Sequence, residues 1–219
     1  MACTTSHSSK FIESLPLTFT PRTALLPRAR GTPVLAGNKL VSLSEQELVS
    51  CDTHGEDSGC NGGLQEDAFK YVIKTGGLVA ESEYKYTSGG GNSGRCNKKK
   101  TKSNEIVASI SSWSKISSSA KGEAAIETAL LKSGPITIGI DAGPMQDYSS
   151  GIDNPSNCGS GRFDLDHAVL MVGFGEEKGK KYWIIKNSWN TDWGEKGYYR
   201  IVKGVNKCGL AMDAVHSKA

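Results

Sequence analysis

An α+β fold in two lobes, helices first and strands after, is predicted by three observations. Apolar residues at helical spacing fall in segments before Gly134-Pro135. Segments rich in Val, Ile and aromatic residues, set apart by Gly or charged turns, fall after it. The length of 219 residues, with 37% hydrophobic and 22% charged composition, suffices for one large domain or two half-size lobes but not for a third.

In chain order, residues 1–34 show neither helical nor strand periodicity, and Pro16, Pro21, Pro27 and Pro33 are spaced so that no long helix forms. This segment is read as irregular. It is Ser/Thr-rich and acid-poor, a composition that mimics a transit peptide, but it has no apolar core or cleavage-like site of a signal peptide. From Leu40 the character changes. Ser42 with Glu45 forms a capping box that opens a short helix through Leu48 and Val49 to Cys51. A second helix is predicted over Leu64–Ile73, stopped by Gly76-Gly77. Residues 88–104 read as a solvated loop whose Lys98, Lys99, Lys100 and Lys102 have no interleaved aromatics. A third helix is predicted over Ser119–Lys132, and strands over Ile136–Ile140, His167–Phe174, Tyr182–Lys186 and Tyr198–Val202. The expected organisation is therefore a non-family segment at 1–34, a helical lobe at 35–110 and a β-rich lobe at 111–219.

Charge and composition exclude several functions. The formal charge of +3 is supplied by Lys10, Arg22, Arg28 and Arg30 against Glu13, which leaves the rest balanced and gives no footprint for nucleic acid. No run reaches roughly 18 consecutive apolar residues, so no membrane-spanning helix is expected. The six cysteines, at 3, 51, 60, 96, 158 and 208, have no zinc spacing, and neither metal nor cofactor is expected. Disulfides are the better reading, which implies an oxidising compartment.

The chemistry concentrates in two strands. Asp166-His167-Ala168-Val169 begins one and Lys186-Asn187-Ser188-Trp189 ends another, so antiparallel pairing can set His167 beside Asn187. An amide beside an imidazole holds one tautomer and leaves the other ring nitrogen for proton transfer. Taken singly, each has a bland explanation, a structural His and a strand-end turn.

Together with Ser42-Leu43-Ser44-Glu45-Gln46-Glu47-Leu48-Val49-Ser50-Cys51, Gly59-Cys60-Asn61-Gly62-Gly63, Gly134-Pro135, Leu165-Asp166-His167-Ala168-Val169 and Tyr182-Trp183-Ile184-Ile185-Lys186-Asn187-Ser188-Trp189, they make the chain from Leu40 onward resemble the papain-like cysteine peptidases, a family that includes the cathepsins. The resemblance implies a papain-like two-lobe fold and peptide-bond cleavage by Cys attack with His as base. It implies that His167 is the catalytic imidazole, Asn187 its orienting amide and Trp189 the indole that shields their hydrogen bond. Gly62 and Gly63 match the backbone edge that pairs with an extended peptide. Leu165, Ala168 and Asp213, with Asp166 beside them, fall where the family binds substrate side chains. A carboxylate at Asp213 would favour Arg or Lys in the substrate, the alternative being an ordinary surface Asp. The implied disulfides are Cys51 with Cys96 and Cys158 with Cys208, leaving Cys60 unpaired unless Cys3 reaches it. The implied partners are extended peptides or proteins and cystatin-like inhibitors, and the implied location is lysosomal or extracellular. A monomer is expected, with no nucleic acid or membrane partner.

The family's nucleophile segment has no match. Between Cys3 and Cys51 there is no cysteine, the first Gln is Gln46, and the first Trp is Trp113. Counting back from Cys51 without gaps puts Thr20, followed by Pro21, at the nucleophile's place, and a hydroxyl there is a far weaker nucleophile than a thiolate. The helical lobe is therefore expected to be incomplete and the chain inactive as a peptidase, with a non-catalytic peptide- or inhibitor-binding role as the alternative. An out-of-frame or mis-spliced reading of the N-terminal segment is consistent with the codons of Ala29-Arg30-Gly31-Thr32.

Overall fold

The structure, a computed structural model, describes residues 41–218. The expectations for residues 1–34, for Cys3 and for Thr20 lie outside them. The described chain divides into two compact units, one over 41–113 with 217–218 and one over 114–216.

In the first unit, α1 spans Glu45–Cys51 and α2 spans Gln65–Thr75. Helix α1 starts two residues later than a cap at Ser42 indicates. Its cap is Ser44, whose hydroxyl accepts from the Glu47 N–H at 3.0 Å, while the Ser44 N–H itself donates to the Val79 carbonyl. Glu47 does not close the box. Its carboxylate instead accepts the Val79 N–H at 3.0 Å and faces the Tyr71 hydroxyl, tying α1 to α2 and to the short strand β1 (Leu78–Val79). Helix α2 ends where Gly76 takes up φ 84°, a left-handed conformation that favours glycine. Strand β1 pairs antiparallel with β2 (Ile106–Ala108). The segment at 88–104 is a loop with 3-10 turns at Ser88–Gly90 and Ser103–Glu105.

In the second unit, α3 spans Glu123–Ser133, four residues later than Ser119. The reason is that Ser119 to Gly122 closes a turn, and Gly122 lies where a Cβ would strike the Ser117 hydroxyl. A six-stranded antiparallel sheet has the order β3-β8-β4-β5-β6-β7, with β3 Ser112–Ser117, β4 Ile136–Ile140, β5 His167–Glu177, β6 Lys180–Lys186, β7 Tyr198–Val202 and β8 Ala214–Lys218. Ile136, Ile138, Met171, Trp183, Ile185, Tyr199 and Ile201 fill its core. The Trp183 indole donates to the buried Glu123 carboxylate at 2.7 Å, which pins the start of α3 to β6.

Disulfides join Cys51 to Cys96 and Cys158 to Cys208, the two pairings that the resemblance implies. Cys60 is not unpaired, contrary to expectation: it is disulfide-bonded, and no cysteine among the described residues is a free thiol. It is a buried residue, and an oxidised sulfur suits that setting.

Candidate active site

The register of the sheet places the site. Strand β5 begins at His167, opposite Ile140 of β4, and its pairing with β6 runs to Leu170 opposite Lys186, one residue short of Asn187. The two side chains close the remaining gap, with His167 Nε2 2.9 Å from Asn187 Oδ1. Both residues are buried, at 1% and 7% exposure.

The hydrogen-bond partners decide the protonation. Asn187 Oδ1 also accepts the Ser188 backbone N–H at 2.8 Å. A backbone N–H only donates, so the amide atom at that position is the oxygen. An oxygen cannot donate to the imidazole. His167 Nε2 therefore carries the hydrogen, and in the neutral ring the lone pair resides on Nδ1. This is the tautomer that a general base acting through Nδ1 requires.

Trp189 stacks on His167, with ring centroids 5.3 Å apart and planes 22° apart. Trp193 meets Trp189 edge-on at 5.1 Å and donates its own indole N–H to the Met145 carbonyl at 3.1 Å. The aromatic wall is thus fixed from behind, and it lowers the local polarity around the His-Asn bond.

Leu165, Ala168 and Asp213 converge around a single glycine. Gly139 of β4 pairs with Ala168, and its N–H donates to the Asp213 carbonyl at 2.8 Å. A Cβ at Gly139 would lie 2.8 Å from Leu165 Cδ1 and 3.5 Å from Asp213 Cβ, so the absent side chain lets the three approach. Asp166 has a structural task here, since its carboxylate accepts the Ala142 N–H at 2.8 Å. Asp213 is no ordinary surface acid, being only 5% exposed. Its carboxylate is not open either. Lys115 Nζ sits 2.5 Å from Asp213 Oδ1, and Arg162 Nη1 lies 3.9 Å away.

Gly62 and Gly63 lie in the other unit. Gly62 has φ 101°, a conformation that favours glycine, and its carbonyl accepts the Ser58 N–H at 2.8 Å. Gly63 is required by a carboxylate, because a Cβ there would meet Asp57 Oδ1 at 2.0 Å. Asp57 Oδ1 accepts the Leu64 N–H at 2.7 Å. Burial and the neighbouring Asp52 push the Asp57 carboxyl up to about 8. Asp52 Oδ2 is buried without a hydrogen-bond partner, and burial raises that carboxyl as well. This Asp52–Asp57 pair was not legible in the sequence, where the two acids stand in an unremarkable loop.

Gln46, the first glutamine of the chain, is committed to structure. Its amide donates to Ser50 and Ser88 and accepts from the Thr87 N–H at 2.6 Å. Among the described residues, no cluster of His, Cys, Asp and Glu has the grouping of a metal site.

Comparison with known proteins agrees with this geometry. The family model described as "Papain family cysteine protease" matches residues 29–218. Cysteine proteinase 15A of Pisum sativum is 46% identical over 194 residues, covering 82% of this chain and 50% of its own length. A cysteine proteinase of Trypanosoma brucei brucei is 45% identical, covering 84% of this chain and 38% of its own. Digestive procathepsin L 3 of Tenebrio molitor larval midgut superimposes with a TM-score of 0.76 at 34% identity, over 85% of this chain and 58% of that one. The chain thus spans about half the length, or less, of these curated relatives. With a family model that takes in all the described residues, and a fold shared with a procathepsin, the chain belongs to the papain family of cysteine proteases.

Proposed function

We propose that this chain holds the base-bearing half of a cysteine-protease site and binds extended peptides without cleaving them. In this reading His167 is the imidazole base, Asn187 fixes its tautomer and Trp189 shields the bond between them. Leu165, Ala168 and Asp213 form a side-chain subsite, with Asp166 bracing the adjoining backbone. Gly62 and Gly63 offer the peptide-pairing edge.

One observation carries the proposal of inactivity. Every cysteine among the described residues is in a disulfide, so none is available as a thiolate for the lone pair on His167 Nδ1 to activate. The remaining cysteine, Cys3, stands in sequence with no resemblance to the family's nucleophile segment. Gln46 is spent on Ser50, Thr87 and Ser88, so it is no oxyanion donor. Without nucleophile or oxyanion donor no acyl-enzyme forms, although binding groups persist. Extended peptides, and inhibitors that imitate them, are the partners this arrangement suits. A lysosomal or extracellular setting fits the disulfides.

The test is intact mass of the folded chain before and after an irreversible thiol-directed epoxide peptide. No adduct is expected. A single stoichiometric adduct that disappears in His167→Ala would show an activated thiol and overturn the proposal.

A further inference from the structure

The Asp213 carboxylate lies in the apolar corner around Gly139, and the chain has already supplied its counter-ion. The carboxylate is 7% exposed, with Lys115 Nζ at 2.5 Å and Arg162 Nη1 at 3.9 Å. Among the described residues, two cations thus stand against this carboxylate. A further cation, from a substrate, would have to displace Lys115 or crowd beside it and Arg162, and either costs more the drier the site. The surrounding walls are apolar. The Leu165 side chain packs into the spaces left by Gly139 and Gly209, and the Ala168 methyl is buried. Lys115 reaches the carboxylate from β3, where its ammonium is partly exposed and its alkyl stem can lie along that apolar surface.

We propose that Lys115 is the specificity-determining residue of the Leu165–Ala168–Asp213 subsite, neutralising Asp213 from within so that the subsite accepts a neutral apolar side chain and rejects Arg or Lys. This rests on the peptide-binding reading above, and it reverses the preference that Asp213 alone would give. Rejection of a wrong partner by a placed charge is an ordinary route to selectivity. The Lys115–Asp213 pair is also what allows an acid to persist at 5% exposure in that corner.

The test uses the full chain and two capped tetrapeptide amides that differ only in the subsite-filling residue, Leu or Arg, with dissociation constants read by calorimetry. The unmodified chain is expected to bind the Leu peptide at least about tenfold more tightly than the Arg peptide, a ratio within reach of one pocket contact. In Lys115→Met that ratio should fall by about tenfold or more, the Arg peptide gaining while the Leu peptide holds within about threefold. Should Lys115→Met fail to fold, the same comparison on Lys115→Gln replaces it. An unmodified chain that prefers Arg, or a ratio unmoved in the variant, overturns the role of Lys115 and leaves peptide binding standing. If neither peptide binds the folded chain, the peptide-binding reading falls and the proposal falls with it.

Discussion

The two units bury different things. Residues 114–216 bury polar groups, Glu123, His167, Asn187 and Asp213 among them, but these accompany an extensive apolar core of Ile, Met, Trp and Tyr side chains between a six-stranded sheet and α3. Residues 41–113 have buried Leu and Phe, but they also enclose Ser44, Gln46, Glu47, Asp52, Gln65, Asp67 and Ser88, and only two short strands pair. Their polar atoms are engaged largely by one another, as in the Gln46 contacts to Ser50, Thr87 and Ser88. Apolar burial stabilises gradually with area, whereas a buried polar network stabilises only when every member is satisfied. The sheet unit should therefore resist conditions that the helical unit does not.

The largest expected effect breaks the stronger side. Trp183→Ala removes a fully buried indole and one of the three hydrogen bonds to Glu123, whose carboxylate keeps the Gly204 and Asn206 N–H groups, and should cost about 3–5 kcal/mol in denaturant unfolding of the sheet. A loss under about 1 kcal/mol would show that the apolar core does not dominate that unit. Next in size is replacement of both Cys51 and Cys96 by Ser, expected to cost about 2–4 kcal/mol and to lower amide-exchange protection in α1 and α2 while β4 to β6 keep theirs. Equal loss in both units would erase the comparison.

A pH series sharpens it further. In the helical unit, burial raises the Asp57 carboxyl to about 8 and also raises those of Glu47 and Asp52. A raised carboxyl keeps its proton in the folded state while the unfolded chain has lost it. Its stabilisation is complete below the ordinary value near 3.8 and is lost as pH climbs to about 8. Asp67 runs the other way, since burial acts against it but the Lys70 ammonium and the Glu56 N–H outweigh that and hold it low. In the sheet unit, the Arg200 guanidinium holds the Glu195 carboxyl below its ordinary value, so that contribution is present above about pH 4.5 and lost as pH falls further. Amide exchange from pH 4 to 8 should show α1, α2 and the loop at 52–64 losing protection, once corrected for intrinsic rates, while β6 and β7 do not. Asp57→Asn should flatten the trend. The smallest effect is Ser44→Ala, about 1 kcal/mol, which separates the observed cap from Ser42, whose replacement should change little.

How far the sequence could be read differs between the same two regions. Strands β4 and β7 run over the residues read from their Val, Ile and aromatic content, and β5 and β6 only extend further. Strands β1, β2, β3 and β8 are absent from that reading, the first two being only two and three residues long. Ser112–Ser117 is a polar edge strand without alternation, and Ala214–Lys218 has Val215 as its one β-branched residue, so both exist because a partner strand pairs with them. The adjacency of His167 and Asn187 was legible, because strand order and register follow from two strongly patterned segments. The counter-ion of Asp213 was not, since Lys115 lies 98 positions away with nothing local to announce it.

The sequence by itself determined the α+β class, the order of helices and strands and the His167–Asn187 juxtaposition. Each depends on local pattern or on residue identity. Only the tertiary structure decided which nitrogen of His167 bears the hydrogen, that Cys60 is oxidised, that Gly63 yields space to Asp57, and that Asp213 is ion-paired with Lys115. Those depend on which polar groups share a buried space, and burial turns charges that water would screen into partners that have to be matched one by one.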